Sequence, residues 1–192
     1  MSLNLYVPLK AGYKDQNYQK TELGKFGYNL DTSLSNGNQQ TYYNPNENKL
    51  LFNVAGTHNL SDVGTDFYLG IGKLKDTNRF KEADNALKQA KSKYKNANTT
   101  ITGHSLGSSI ASYLGDGHND KIITLDKGST VGQNTGKDET DYRTSGDLVS
   151  LLGANATHTI TLQNPHAQTG NFILDGLNAH NVDNIKSSNI LI

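Results

Sequence analysis

Residues 99–114, TTITGHSLGSSIASYL, constrain this 192-residue chain more than any other stretch. A short β-branched run leads into Gly103-His104-Ser105-Leu106-Gly107, a G-x-S-x-G pattern. Apolar residues then recur at Leu106, Ile110, Ala111 and Leu114, the spacing of one helix face. Strand, tight turn and helix form the context in which that pattern has a mechanical meaning. A serine on such a turn is strained, and a side chain at either flanking glycine would collide with neighbouring backbone. The turn exposes the Ser105 hydroxyl, turns the Leu106 N–H to where an oxyanion would form, and adds the positive end of the following helix. Without that context, in a chain with 19 glycines, the pattern would be a glycine-rich turn and nothing more.

The rest of the chain suits an elbow of this kind. Residues 39–43 and 49–55 (KLLFNVA) read as strands, and Asn44-Pro45-Asn46 between them predicts an antiparallel hairpin. Phe80, Ala83, Leu87, Ala90 and Tyr94 recur at helical spacing, with Asp76 or Thr77 as the cap. Residues 121–126 (KIITLD) and 156–162 (ATHTITL) read as strands, with an extended piece around Tyr142 between them. Residues 181–186 open a last helix, and residues 1–38 give no clear assignment. Strands alternating with helices from residue 49 onward predict an α/β fold with a mostly parallel sheet. The length suits a single domain over 1–192 with a core that needs no staples.

Composition removes several classes of function. The 18 basic and 18 acidic residues cancel, which argues against nucleic acid as the main partner. Cysteine is absent, so disulfides, thiol catalysis and cysteine metal sites are excluded. No signal peptide is visible at the start, and no apolar run approaches the ~18 residues of a membrane span. A soluble protein is expected, with its location left open.

A serine nucleophile needs a base, and the base needs a carboxylate. With an elbow of this kind the chain order is serine, acid, histidine. That order excludes His58 and His104 as the base, and His118 precedes any plausible acid. His158 shares a strand face with Ile160 and Leu162, and His166 follows Pro165 in a polar loop. His180 follows the last apolar run, Phe172-Ile173-Leu174, and is the favoured base, with His166 next. For the acid, Asp138 and Asp141 sit in a charged stretch and read as solvated, and Asp126 ends a strand and reads as a loop anchor. Asp147 follows an extended piece and could lie at a strand's carboxyl edge, where α/β sheets bind ligands. The lesser alternative is that it caps a helix over 148–152. A second oxyanion donor should follow an earlier strand. Thr57 after Val54-Ala55-Gly56 fits that place, and so does an ordinary glycine turn.

These segments resemble the class 3, fungal-type lipases of the α/β-hydrolase superfamily. GHSLG at 103–107 looks like that family's nucleophile segment, and residues 50–66 (LLFNVAGTHNLSDVGTD) look like its oxyanion segment. In the latter, Thr57 matches the oxyanion position, and Ser61, Asp62 and Asp66 match the polar positions after it. Residues 126–132 (DKGSTVG) are similar to the loop after the next strand. Residues 142–152 (YRTSGDLVSLL) resemble the segment carrying the acid, at Asp147. Residues 177–185 (LNAHNVDNI) resemble the one carrying the histidine, at His180. The resemblance spans roughly residues 25–190, and only the elbow is a specific motif. The chain departs from the pattern at Ala55, where the family has arginine, at Val63 for tryptophan, at Ser108 for glycine and at Ser150 for proline.

The resemblance implies an α/β-hydrolase fold and a serine ester hydrolase. Ser105, His180 and Asp147 would form its triad, and the Thr57 and Leu106 N–H groups its oxyanion hole. It implies a lipid or small ester substrate, passing contact with a lipid surface and no metal or organic cofactor. The same triad would also serve a phospholipase or an acyl transferase. A reading from another class is a binding protein on a hydrolase scaffold that has lost turnover. The lid stretch of the family corresponds to residues 58–65, HNLSDVGT, where only Leu60 and Val63 are apolar. A small or absent lid is therefore expected, with a preference for short or monomeric esters.

Overall fold

The computed structural model describes residues 2–58, 73–115, 119–128, 138–150 and 158–192. The hairpin expected around Pro45 joins strands β2 (Gln39–Asn44) and β3 (Lys49–Val54). The Asn44 side chain nucleates its turn by accepting from the N–H groups of Asn46 and Glu47, and Asn48 takes a left-handed backbone at φ 48°. A two-residue strand, β1 (Asn29–Leu30), pairs antiparallel on the far side of β2.

From β3 onward the sheet is parallel. It continues through β4 (Asn98–His104), β5 (Lys121–Leu125), β6 (Glu139–Thr144) and β7 (His158–Leu162). The seven strands among the described residues lie in chain order. Helix α3 (Asn78–Lys93) crosses from β3 to β4 and is capped by Thr77, whose hydroxyl accepts the Phe80 N–H. Helix α4 (Leu106–Gly115) follows the elbow.

Alternation along the strands sends side chains to both faces. Phe52, Val54 and Ile101 pack with Leu87 of α3 and with Ile110 and Leu114 of α4. Ile123 and Leu125 on β5 pack on the opposite face with Leu5, Leu9, Val182 and Ile185. That second layer comes largely from the unassigned N-terminal region. It forms helices α1 (Tyr6–Ala11) and α2 (Gln16–Gly24), the latter capped by Asp15. Six residues of α1 are too few to display a helical period. The two ends of the chain meet: Leu5 N–H donates to the Ile190 carbonyl at 2.8 Å, and Ile192 N–H to the Leu3 carbonyl at 2.9 Å.

Two local expectations change. The last α-helix is α5 (Phe172–Ala179), not residues 181–186. Asn171 caps it by accepting from Ile173 and Leu174 N–H groups, whereas Val182–Ile185 make one 3₁₀ turn capped by Asn181. Asp141 is fully buried in β6, where it accepts from Thr124 at 2.9 Å and pairs with Arg143 at 2.6 Å. Among the described residues no helix is long and apolar enough to cross a membrane. The expected lid stretch, with Ser61, Asp62, Val63 and Asp66, lies outside the described residues from position 59 on, as does His118.

Candidate active site

The elbow is built by its glycines. A Cβ on Gly103 would stand 2.5 Å from the Gly107 carbonyl oxygen, and one on Gly107 would overlap the Val54 and Ala55 carbonyl oxygens. With both positions bare, helix α4 packs against the end of β3, and Ser105 is forced to φ 58°. A non-glycine residue there costs about 1–3 kcal/mol, which the surrounding bonds hold in place. Ser105 N–H donates to the Leu125 carbonyl at 3.1 Å, and the Ser108 hydroxyl donates to the same oxygen at 2.9 Å. Ser108 therefore has a task that glycine could not perform.

His180 sits at the C-terminal end of α5, and its Nδ1 is 2.8 Å from a carboxylate oxygen of Asp147. Both side chains are buried. Asp147 also accepts from the Val149 N–H at 3.1 Å and the Ser150 N–H at 2.9 Å, so it closes a turn and faces the histidine at once. Burial pushes the Asp147 carboxyl up, but the His180 bond and charge and the Ser150 bonds outweigh it and hold the group below its ordinary value. Proline at 150 would have removed one of those donors.

The Ser105 hydroxyl and His180 Nε2 are buried and have no protein partner among the described residues. Both line one cavity of about 250 Å³, together with Tyr13, Thr57, His104 and Val182. That is below the ~300–1,000 Å³ of common ligand pockets. It opens beyond the carboxyl ends of the parallel strands, where such sheets bind ligands. The other histidines are placed differently. His166 is exposed and bonds Asn184 at 3.0 Å, His158 is exposed on β7, and His58 bonds the Gly37 carbonyl at 2.8 Å on the cavity rim.

His104, the residue before the serine, ties the site together. Its Nε2 lies 3.0 Å from the His180 carbonyl oxygen, which can only accept, so Nε2 carries the proton. Nδ1 must then accept, and Tyr13 donates its hydroxyl proton to it at 2.7 Å. The Tyr13 oxygen in turn accepts the Gly56 N–H at 2.8 Å. One chain of bonds thus runs from the end of β3, through α1's loop and the elbow, to the backbone of His180. Burial, with the nearby His180 adding to it, lowers His104 to about 3, so it stays neutral.

Arg79, at the start of α3, donates to the carbonyls of Ala55 and Gly56, the latter at 3.1 Å. The loop before Thr57 is therefore held by an arginine from another element, although position 55 itself is alanine. The sequence reading missed both Arg79 and Tyr13. Its available signal was that only Arg79 and Arg143 are arginines among 18 basic residues. Asp126, expected to anchor a loop, does so: its carboxylate accepts the Thr144 N–H at 2.6 Å. Among the described residues, His104, Asp126 and His180 form the one group with the composition of a metal site, with a ligand atom from each within 4.8 Å of the others. Three of the four ring nitrogens there are already bonded, both of His104 among them, so a cation would have to displace at least one His104 contact.

Comparison with known proteins bears on the same elements. Residues 48–116, from β3 through the elbow helix, match the family model described as lipase (class 3). Among solved structures, a Rhizomucor miehei lipase propeptide complex aligns at TM-score 0.54 and 12% identity, covering 78% of this chain and 61% of that one. A nonglycosylated Yarrowia lipolytica lipase aligns at 0.53 and 16%, covering 81% and 77%. A Penicillium expansum triacylglycerol lipase aligns at 0.51 and 15%, covering 83% and 78%. The chain spans 60–66% of the first three solved structures it matches. At these identities the likeness shows the fold, which is that of the α/β-hydrolases. A search of curated protein sequences gave no significant match.

Proposed function

We propose that this chain, whose residues 48–116 match the class 3 lipase family model, is a serine hydrolase of carboxylic esters. One observation carries the proposal: a strained, buried serine hydroxyl and a buried histidine nitrogen, both unpartnered, share a cavity with a carboxylate fixed behind the histidine. Leaving two buried polar atoms unbonded costs about 1–3 kcal/mol each, which favours a site kept for a substrate.

In this reading Ser105 Oγ attacks the ester carbonyl carbon and His180 Nε2 takes the hydroxyl proton. Asp147 holds the Nδ1–H tautomer and stabilises the imidazolium. The oxyanion forms beside the Leu106 N–H, at the first turn of α4, and the Thr57 N–H, on the loop clamped by Arg79. Losing one such donor costs about 3 kcal/mol in the transition state. The tetrahedral intermediate breaks its bond to the alcohol oxygen, which receives the proton from Nε2. Water activated by His180 then cleaves the acyl-enzyme and restores the serine. The small cavity supports a short acyl group or a small ester, and lipid esters are the wider substrate class.

The test is Ser105→Ala against a chromogenic short-chain ester, with fluorophosphonate labelling of the parent protein. The parent should label at Ser105, and the variant should lose all but a trace of the rate with an unchanged circular dichroism spectrum. A parent that neither labels nor hydrolyses any ester would favour the scaffold reading.

A further inference from the structure

Asp126 is a buried carboxyl that the mechanism above does not use. It follows β5 directly, while Asp147 lies three residues beyond β6, the next strand of the sheet. Adjacent strand ends therefore deliver two carboxyls to one histidine. Asp126 is fully buried and holds φ 50°, a left-handed backbone that few side chains adopt. It lies outside the segment that matches the family model. Its two oxygens meet Thr144: one accepts the N–H at 2.6 Å, and the other lies 3.1 Å from the hydroxyl. Thr144 in turn accepts the Asp147 N–H at its carbonyl, at 3.1 Å. Asp126 thus pins the turn that presents Asp147.

It also faces the base. A carboxylate oxygen of Asp126 lies within 4.8 Å of a ring nitrogen of His180 and of one of His104. Bringing it to hydrogen-bond distance from His180 requires about 2 Å of movement at most. The titratable groups around it are His104 at the end of β4, Asp141 in β6, Asp147 after β6 and His180 after α5. We propose that Asp126 is a second acid for His180: a positioning residue that holds the Asp147 turn and takes over as the histidine's carboxylate partner when Asp147 is removed. The inference rests on the hydrolase reading.

The charge states fit this division of labour. Burial first, and then the Asp147 charge, push the Asp126 carboxyl well above its ordinary value, while Asp147 is held below. Two carboxyls driven apart in this way have separate roles. Replacing Asp147 by asparagine removes the repulsion, the second of these two causes, so that an imidazolium at His180 would have Asp126 as its nearby acid.

The experiment compares kcat/KM and its pH profile for the parent, Asp147→Asn, Asp126→Asn and the double variant. Removing a triad acid alone costs on the order of 10⁴-fold. With Asp126 in reserve, Asp147→Asn should lose about 100-fold, Asp126→Asn less than tenfold, and the double variant at least tenfold more than Asp147→Asn. A carboxylate neighbour raises a histidine pKa. The acidic limb of Asp147→Asn should therefore lie about one pH unit above that of the double variant, a shift that a merely structural residue would not cause. Equal rates and coincident limbs for those two proteins would overturn the proposal. If Asp126→Asn does not fold, Asp147→Asn decides alone, since a loss near 10⁴-fold removes any reserve acid. The parent's Ser105-dependent rate tests the hydrolase reading separately from these ratios.

Discussion

Acid should weaken this fold through His104, and the effect is separable from all others. The group is buried, donates to the His180 carbonyl and accepts from Tyr13, so no lone pair is left for a second proton. Its value falls from 6.5 to about 3, chiefly by burial and then by His180. The unfolded chain therefore binds this proton below about pH 6.5 and the folded one does not. Stability is fully present above that value and is lost as the pH falls toward 3. At about pH 4.5 the gap is about two units, and at about 1.4 kcal/mol per unit the loss is about 3 kcal/mol. Urea unfolding at pH 7 and pH 4.5 measures it, and His104→Gln supplies the control. Glutamine can donate and accept in the same places and does not titrate. Asp31, which burial raises but Lys93, Ser33 and Tyr94 bring down to about 2, also loses stability in acid, and it does so in both proteins. The glutamine variant should therefore lose about 3 kcal/mol less than the parent between the two pH values. Equal losses would refute a buried, neutral His104.

Arg79→Met should lower kcat about tenfold or more and change KM less, because the clamp on the Ala55 and Gly56 carbonyls would position Thr57, the proposed oxyanion donor, rather than the ground-state substrate; steady-state kinetics with one short ester checks it. Gly107→Ala should destabilise by about 3 kcal/mol or more, since its Cβ overlaps the Val54 and Ala55 carbonyls at and just beyond the end of β3, and thermal unfolding reads the loss directly. With only Leu60 and Val63 apolar in the stretch that corresponds to a lid, a medium-chain ester should give no jump in rate as its concentration crosses the solubility limit. A sharp rise once droplets form would return the protein to the interfacially activated lipases.

Much of the scaffold could be read from short-range patterns. The β-branched run at 99–102, the stripe Leu106-Ile110-Leu114 and the Asn-Pro-Asn turn each encode their element locally, and each formed as expected. The elbow was legible for the same reason, because steric demand falls on two glycines four residues apart. Chain order then narrowed the histidines, and the structure brings His180 rather than His166 to Asp147. Three features resisted. Helix α5 begins with Phe172, Ile173 and Leu174, all exposed, so its apolar residues do not mark a buried face. Asp141 looked solvated because its neighbours in sequence are charged, yet its burial is set by Thr124 and Arg143 across and along the sheet. Tyr13 lies 91 residues from His104, and no local pattern reports a contact of that separation.

That separation also bears on when the protein becomes able to act. The strands join the sheet in the order in which they are synthesised, so each new pairing closes only the interval since the previous strand, and the scaffold can grow as the chain emerges. The bond chain from Gly56 through Tyr13 and His104 to His180 has no such sequence. It joins positions 13, 56, 104 and 180, and it closes only once all four are in place. An incomplete chain that already holds the strained serine therefore lacks His180, the base proposed to activate it. A nascent polypeptide ending before α5 should be folded in its first strands and chemically inert, with reactivity toward a fluorophosphonate appearing in one late step.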